Sequence, residues 1–336
     1  MNKVRLSDIA KAAGVSTATV SNALNRKNRL NPEKADEIRN LAIKMGYLSG
    51  EEDRRRGIRF VIYRKHGKVV MDTAFFSQLI DGVQEQCRRR SYDLLINRVN
   101  AGDDISALTD MPILLLATEM DADDLAPYRK SSSPVLLLDS DFRFESFSSV
   151  SIDNCEAGYQ AGKLLISKGH RRIGFIDSVL PFNNMKDRFS GLLTALSEAD
   201  LSCAEHVMVE PTMEGATRDM AQWLRDGGQL PTAFFAGNDI MAIGASMALK
   251  QAGYKLPSDV SIVGMDDMPL CLVAEPALTT IRVDKQQLGM IAVDRLIDMI
   301  ENDEKVYQRI RMSVSTVERQ SVLSTGRTHG RERHET

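Results

Sequence analysis

The 336-residue sequence lacks any hydrophobic run long enough to cross a membrane. Its longest aliphatic runs, ILLLA at 113–117 and VLLL at 135–138, have the length of buried β-strands. The N-terminal residues carry a charge every few positions and lack the pattern of a secretory signal. We therefore expect a globular protein of the cytoplasm.

Paired cysteines and metal-ligand spacings are also missing. Cys87, Cys155, Cys203 and Cys271 are widely spaced, without a C-x-x-C pair, which argues against both a disulfide framework and a zinc site. The five histidines have no ligand spacing, and no nucleophile-elbow, zincin, phosphate-loop or dinucleotide motif occurs. We expect buried structural thiols, no metal, no cofactor, no catalytic residue and hence no enzyme.

Positive charge is concentrated at one end of the chain. Residues 1–50 contain nine lysines and arginines against four acidic residues, a net charge of +5, which leaves −8 for the rest. Such a basic segment suits a polyanion, and the remainder of the chain does not.

The basic segment predicts three short helices, each with its own start signal. Ser7 is the predicted cap of the first helix, residues 8–13, and Ser16 is that of the second, residues 17–24. Asn31 followed by Pro32 begins the third helix, which ends at Gly46.

The second of these helices has an unusual composition. Residues 15–25 read VSTATVSNALN, in which Val15, Val20 and Leu24 form an apolar face and the rest are mainly Ser, Thr and Asn. These short polar residues are poor helix formers, but they suit a helix that must approach base edges in the major groove of DNA. The pattern therefore favours a helix-turn-helix; the alternative is a polar helix of a regulatory or dimerisation module.

A charged linker, GYLSGEEDRRRG at 46–57, separates this segment from a region in which short strands and helices alternate. Alternation of this kind predicts parallel sheets with right-handed crossovers. Because about 265 residues exceed one compact sheet with its helices, we expect two α/β lobes with a cleft between them. The predicted strands cover residues 58–63, 92–96, 113–117, 135–138, 173–176, 207–209, 233–236 and 260–264, and clear helices cover 77–90, 156–168, 239–252 and 285–302.

The stretch SDIAKAAGVSTATVSNALN, followed by NPEKADEIRNLAIKMGY, resembles the DNA-binding headpiece of the lactose-repressor (LacI/GalR) family of bacterial regulators. Downstream blocks such as PTAFFAGNDIMAIGASMALKQAG and VSIVGMDD are similar to the family as well, and the resemblance covers about residues 5–320. It implies a homodimeric regulator, most often a repressor, bound to near-palindromic operator DNA in the bacterial nucleoid. The implied core has two Rossmann-like lobes, periplasmic-binding-protein-like of type I, with a sugar or sugar derivative as the effector.

The implied domains are a headpiece, a hinge, a core and a tail that we expect to be disordered. They cover residues 1–46, 47–57, 58–322 and 323–336, with lobe 1 at about 58–153 and 286–310 and lobe 2 at about 154–285 and 311–322.

Carried over residue by residue, the resemblance assigns contacts to DNA bases, to DNA phosphates and to the effector. Thr17, Ala18 and Asn22 face bases, and an Asn favours adenine, while the expected phosphate contacts are Ser16, Thr19, Ser21 and Asn25. The effector contacts are Phe75, Phe76, Asp139, Arg188, Asn238 and Asp266. One of the two phenylalanines is expected to belong to the core instead.

Several nearby polar residues have a structural interpretation. Asp153, Asp239 and Asp267 are expected to cap helices, and His170 to make a structural hydrogen bond. The basic loop Arg64, Lys65, His66 and Lys68 fits either a solvated loop or an anionic effector, of which we favour the first.

The linker departs from the family pattern, in which a leucine of a hinge helix wedges into the minor groove. Ser49 and Gly50 stand where a Pro-Asn pair is common, and acidic residues precede Arg54 to Arg56 without a leucine.

The alternative function is that of a cytoplasmic sugar-binding protein, or of a sugar-acting enzyme with an appended nucleic-acid-binding module.

Overall fold

A computed structural model describes residues 4–24, 32–47, 57–67, 74–302, 304 and 306–325. Residues 48–56 of the predicted hinge at 47–57 lie outside the described residues, as do Asn25, the predicted helix cap Asn31 and Lys68.

Three helices form the N-terminal domain: α1 (Leu6–Ala13), α2 (Thr17–Leu24) and α3 (Pro32–Lys44). Their apolar faces meet in a small core in which Ile9, Val20, Ile38 and Ala42 are buried. Gly14 ends α1 with a φ of +66°, a left-handed conformation that favours glycine and permits the tight turn into α2.

The start of α1 corrects one predicted cap. The helix begins at Leu6 and not at Asp8, so that Ser7 lies inside its first turn. The Asp8 carboxylate accepts a hydrogen bond from the main-chain N–H of Arg5 at 2.8 Å and takes over the capping role.

The first lobe of the core is built on a six-stranded parallel sheet in the order β11-β5-β4-β3-β1-β2. Two long helices, α4 (Ala74–Arg90) and α10 (Lys285–Glu301), pack against each other, and α10 also contacts the sheet. Short 3₁₀ turns lie at Ser106–Leu108, Asp123–Leu125 and Tyr128–Lys130. The strands are β1 (Gly57–Arg64), β2 (Asp93–Asn100), β3 (Ile113–Leu116), β4 (Val135–Leu138), β5 (Ser148–Ile152) and β11 (Arg309–Met312).

The second lobe has a six-stranded sheet in the order β12-β10-β9-β8-β6-β7, in which only β12 runs antiparallel to its neighbour. Two consecutive phenylalanines of β8 point to opposite faces of this sheet. Phe234 packs on the side of helices α7 and α8, and Phe235 packs on the side of helices α5 and α6. The strands are β6 (Ile173–Ser178), β7 (His206–Val209), β8 (Ala233–Ala236), β9 (Ser261–Asp266), β10 (Thr279–Arg282) and β12 (Ser315–Val317). The helices are α5 (Asn154–Ser167), α6 (Asn183–Ser197), α7 (Met213–Arg225), α8 (Asp239–Gln251) and the single turn α9 (Leu270–Val273).

The chain crosses between the two lobes three times. It passes from β5 to α5 at Asp153, from β10 back to α10 near Val283, and from β11 to β12 between Met312 and Ser315. The last crossover lies slightly beyond the predicted boundary at residue 310.

The predicted strands and clear helices all occur, with ends that differ by a few residues. Four strands were not predicted: β5, β10, β11 and β12. The first residues of the expected disordered tail are also bound to the core, since His170 hydrogen-bonds the main-chain oxygen of Leu323 and Thr325 donates to that of Lys168.

Candidate functional site

The polar face of α2 begins with a mutual hydrogen bond between two hydroxyl groups. Ser16 caps the helix by accepting the main-chain N–H of Thr19 at 3.1 Å, as the sequence predicted, and its Oγ lies 2.8 Å from the Oγ1 of Thr19. These two hydroxyls therefore fix the start of the helix and each retains capacity for a further hydrogen bond.

The predicted base-facing residues remain accessible on this helix. Thr17 and Ala18 are exposed, while Ser21 and Asn22 are half-buried. Val20 is fully buried, and Val15 and Leu24 pack partly buried against the same small core. The helix thus has an apolar face turned inward and short side chains turned outward, which is the arrangement that a major-groove helix needs.

A cavity of about 300 Å³ lies between the two lobes, and its walls include all six predicted effector contacts. Its described lining residues are Phe75, Phe76, Thr118, Asp139, Phe182, Asn184, Met185, Arg188, Pro211, Thr212, Met213, Glu214, Asn238, Ile240, Asp266 and Met268. The cavity lies at the carboxyl ends of β4, β8 and β9, where open α/β sheets bind ligands.

Asp139 follows β4 in a left-handed conformation with φ of +64°, which turns its carboxyl group into the cavity. The residue is only 2% exposed, and the Thr118 hydroxyl donates to Oδ2 at 2.7 Å. Its Oδ1 has no hydrogen-bond partner among the described residues. Burial raises the pKa of Asp139 to about 7, because the charged form is poorly solvated there.

Asp266 ends β9 on the opposite lobe, also with positive φ. Its Oδ1 lies 4.0 Å from Nη2 of Arg188, and the Lys285 ammonium donates to its main-chain oxygen. Burial raises the pKa of Asp266, and the two cations oppose that shift.

Arg188 is held by the protein itself. Its Nε donates to Oδ1 of Asn154 at 2.8 Å and its Nη1 donates to the main-chain oxygen of Gly237. The guanidinium is 5% exposed and faces Asp266 with its remaining nitrogen. Two of its five N–H donors are therefore used inside lobe 2, and these two bonds fix the position of the guanidinium.

The remaining predicted contacts have structural roles as well as cavity surface. Asn238 caps α8, since its Oδ1 accepts the main-chain N–H of Met241 at 2.8 Å, which leaves its amide nitrogen for other partners. Phe75 and Phe76 are both buried in the core, with ring centroids 5.0 Å apart, and both line the cavity. One of the two rings was expected to belong to the core, and in the structure both do.

Several lining residues were not anticipated. Asn184 lies one helical turn before Arg188, and its amide donates across the lobes to the main-chain oxygen of Asp139 at 2.9 Å. The helical i,i+4 spacing to Arg188 was the available signal. Phe182, Thr212 and Glu214 come from loops and helix starts whose sequence carried no comparable indication.

Two of the three predicted caps are wrong. Asp153 does cap α5, through the N–H of Glu156. Asp239, fully buried, instead accepts hydrogen bonds from the Thr280 hydroxyl and the Met268 N–H, and burial raises its pKa to about 7. Asp267 instead forms ion pairs, to Arg282 at 2.6 Å and Arg319 at 2.5 Å.

The basic loop after β1 is not free in solvent. Lys65 is bridged to Asp121 and Asp124, and the main-chain N–H groups of Lys65 and His66 both donate to Glu119 at 2.7 Å. These ion pairs neutralise Lys65, so its ammonium is not available to an anionic ligand.

The histidine and cysteine predictions have mixed outcomes. His170 is confirmed as a structural hydrogen-bonder, contacting Thr232 and the Leu323 oxygen at 3.0 Å each. Cys87 and Cys271 are buried, but Cys203 is half-buried and Cys155 is exposed. Within the described residues, no group of three or more His, Cys, Asp or Glu is arranged to hold a metal ion.

None of the helices described is long and apolar enough to cross a membrane.

Two family models match the chain: bacterial regulatory proteins of the lacI family over residues 5–49, and the periplasmic binding protein-like domain over residues 163–322.

The chain is 31% identical to the HTH-type transcriptional repressor PurR of Pectobacterium carotovorum subsp. carotovorum, with 94% of this chain and 96% of the relative covered. Among solved structures, the transcriptional regulator CelR–cellobiose complex matches with a TM-score of 0.71 at 23% identity, covering 95% of this chain and 99% of that one. The lac repressor dimer bound to operator and the anti-inducer ONPF matches with a TM-score of 0.70 at 21% identity, over 96% and 100%. These relatives are regulators and not enzymes, as the sequence predicted, and the chain belongs to the lacI family of bacterial regulatory proteins.

Proposed function

We propose that this chain represses transcription by binding operator DNA through α2, under the control of a small molecule bound between the lobes. The single observation that supports it most is that one chain combines an exposed polar helix on a basic three-helix domain with an interlobe cavity. Thr17, Ala18 and Asn22 are the base contacts in this proposal, and Ser16, Thr19, Ser21 and Asn25 bind phosphates. Such a regulator acts in the cytoplasm.

The cavity supports a hydroxylated effector, a sugar or a sugar derivative. Carboxylate oxygens of Asp139 and Asp266 without hydrogen-bond partners accept from hydroxyl groups, and the amide of Asn238 donates to them. Aromatic and methionine side chains supply apolar surface for a ring face. The CelR match, which carries cellobiose, agrees with this class of ligand.

Because the cavity has walls from both lobes, an effector that bridges them changes the relative stability of open and closed lobe arrangements. The proposed domain division places the hinge at 47–57 between core and headpiece, so the lobe angle sets the spacing of two headpieces in a dimer.

The proposed assembly is a homodimer on a near-palindromic operator, as in the lac repressor dimer bound to operator. Leu95 and Ile96 on the edge strand β2 are both about 44% exposed, although they project to opposite faces. Leu272 and Val273 of α9 are 66% and 74% exposed. Exposed apolar surface at these two places supports the proposal that they contact a partner subunit.

The experiment is DNase I footprinting of the full chain on the DNA that flanks its own gene. We expect protection of a near-palindromic site whose half-sites lie about one helical turn apart or a multiple of it. Absence of any protected palindrome in that DNA contradicts operator binding. Addition of sugars to the same reactions then tests the effector, since a true effector changes the concentration of protein that gives half protection.

A further inference from the structure

The charges that line the interlobe cavity are unbalanced. Three carboxylates, Asp139, Glu214 and Asp266, stand against one guanidinium, that of Arg188, among the described lining residues. Glu214 is exposed and solvated, whereas Asp139 and Asp266 are buried. A ligand with a phosphate or carboxylate therefore meets more acidic than basic side chains in this cavity, which disfavours it.

The two buried carboxylates differ in how they are neutralised. Asp266 faces Arg188 at 4.0 Å, and the Lys285 ammonium contacts its main-chain oxygen. In the described part of the chain, Asp139 has no cation within that distance. The side-chain donors that act on its carboxyl group are neutral: the Thr118 hydroxyl and the Asn184 amide. Its Oδ1 is buried and unpaired. Arg188 acts on this carboxylate only from a longer distance. A buried carboxylate without a contacting cation is costly, so a cationic ligand would supply the missing contact.

Aromatic rings line the cavity that contains this carboxylate. Phe75 and Phe76 are joined edge to face, and Phe182 contributes a third ring from the other lobe. Aromatic faces attract organic cations through the ring quadrupole, most strongly where water is excluded. A buried, unpaired carboxylate in a cavity with three phenylalanines is the combination that recognises an alkylammonium group, and a purely neutral polyol does not require it.

We propose that the effector is a hydroxylated compound that carries a protonated amino group, bound by Oδ1 of Asp139 within the cavity lined by Phe75, Phe76 and Phe182. The hydroxyl groups of the ligand then face Asp266, Asn238 and Arg188. This inference rests on the proposed function of the cavity as the effector site, and it narrows the effector class to amino sugars and related hydroxylated amines.

Methionine methyl NMR on the full chain reports directly on this cavity, because Met185, Met213 and Met268 line it. We choose two probe pairs in which an ammonium replaces a hydroxyl group: glucosamine against glucose, and benzylamine against benzyl alcohol. At pH 7 we expect the amine of each pair to shift these methyl signals at a concentration about tenfold lower than the alcohol. Glucose 6-phosphate is expected to shift them least.

The variant Asp139→Asn tests the origin of the preference. It keeps a polar side chain of the same size, and we expect the amine and alcohol of each pair to bind it within about twofold of each other. The control is Asp123→Asn, which removes an exposed carboxylate of the same lobe that does not line the cavity. This control should retain the amine preference.

Equal responses to amine and alcohol, a preference unchanged by Asp139→Asn, or no methyl response to either amine would each overturn the proposal. A response to glucose alone would leave the cavity as an effector site and discard only the ammonium. Footprinting without ligand measures operator binding separately, so failure of the amine assignment is distinguishable from failure of the repressor function.

Discussion

At the scale of single residues, Asn22 carries the most specific expectation for DNA recognition. It is the one amide among the described outward-facing side chains of α2, and an amide can bond to adenine in two places. We expect Asn22→Ala to remove about 1–3 kcal/mol of the binding free energy that distinguishes the cognate base at one operator position. Discrimination at the other positions should change little. Binding to a series of operators with single base-pair changes measures this loss.

The matched control is Asn40→Ala, which removes an exposed amide from α3. It should leave the preference at every base pair intact. If Asn22→Ala keeps the parental base preference, Asn22 is not a base contact.

Asp139 gives a second prediction, through the pH dependence of stability. Its pKa is about 7 in the folded chain and near the ordinary Asp value in the unfolded chain, so between these values the folded state binds more protons. The contribution of Asp139 to the free energy of unfolding therefore falls as the pH rises from about 4 to 7. The total fall is roughly 1.4 kcal/mol for each unit by which the two pKa values differ. Arg188 and Asp266 also face this carboxyl group, with opposite effects on its pKa.

The measurement is urea unfolding of the unliganded chain and of Asp139→Asn at pH 5 and pH 8. We expect the variant to gain stability relative to the parent as the pH rises, because its amide does not ionise. A stability difference that is the same at both pH values would show that Asp139 is not titrating in this range.

At the scale of elements, the contact between α5 and α6 depends on two glycines. A Cβ at Gly158 would lie 1.8 Å from the main-chain oxygen of Arg188, and one at Gly191 would lie 1.9 Å from that of Cys155. We expect Gly158→Ala to destabilise the chain by about 1–3 kcal/mol, since the two backbones must separate.

Thermal and urea unfolding measure this effect, with Lys163→Ala as a control on the exposed face of the same helix. Because α6 carries Asn184 and Arg188, Gly158→Ala should also weaken ligand binding in the cavity. A variant as stable as the parent would show that the helices are not as close as the structure has them.

The four strands that the sequence did not predict share a physical reason. β5 reads SSVSI and its serines are buried, while β10, β11 and β12 contain Thr, Arg and Ser between few apolar residues. β5 and β10 are buried, and hydrogen bonds such as that from the Gln308 N–H to the Ser148 hydroxyl satisfy polar groups there, whereas β11 and β12 are largely exposed. Pattern recognition, which depends on apolar runs, had no signal there.

The cavity shows a similar limit at the level of side chains. The resemblance to a known family named six positions, and the structure brings all six together around the cavity. Asp239 and Asp267 were predicted as helix caps from neighbouring residues alone, but both bind residues that are distant in sequence. The partners of Asp239, Met268 and Thr280, lie 29 and 41 residues away in sequence. Such contacts become visible only once the sheet order is known.

At the scale of the whole molecule, the exposed apolar surface of α9 leads to a prediction about assembly. We expect Leu272→Asp to raise the dimer dissociation constant by at least about tenfold, because it places a charge on the exposed apolar surface of the proposed interface. Sedimentation velocity over a range of concentrations measures this, and Phe144→Asp at a 96% exposed phenylalanine is the control. If Leu272→Asp and the control behave alike, α9 is not part of the interface.

The three crossovers between the lobes have a consequence for biosynthesis. The first sheet begins with β1 at Gly57, yet its edge strand β11 ends at Met312, so its strands emerge from the ribosome at opposite ends of the core. The headpiece, in contrast, is contiguous and can fold as soon as it leaves the ribosome. The headpiece sequence is therefore complete long before the last strand of the core is made, and under the proposed function its DNA binding comes under effector control only after the chain has been extended past Met312.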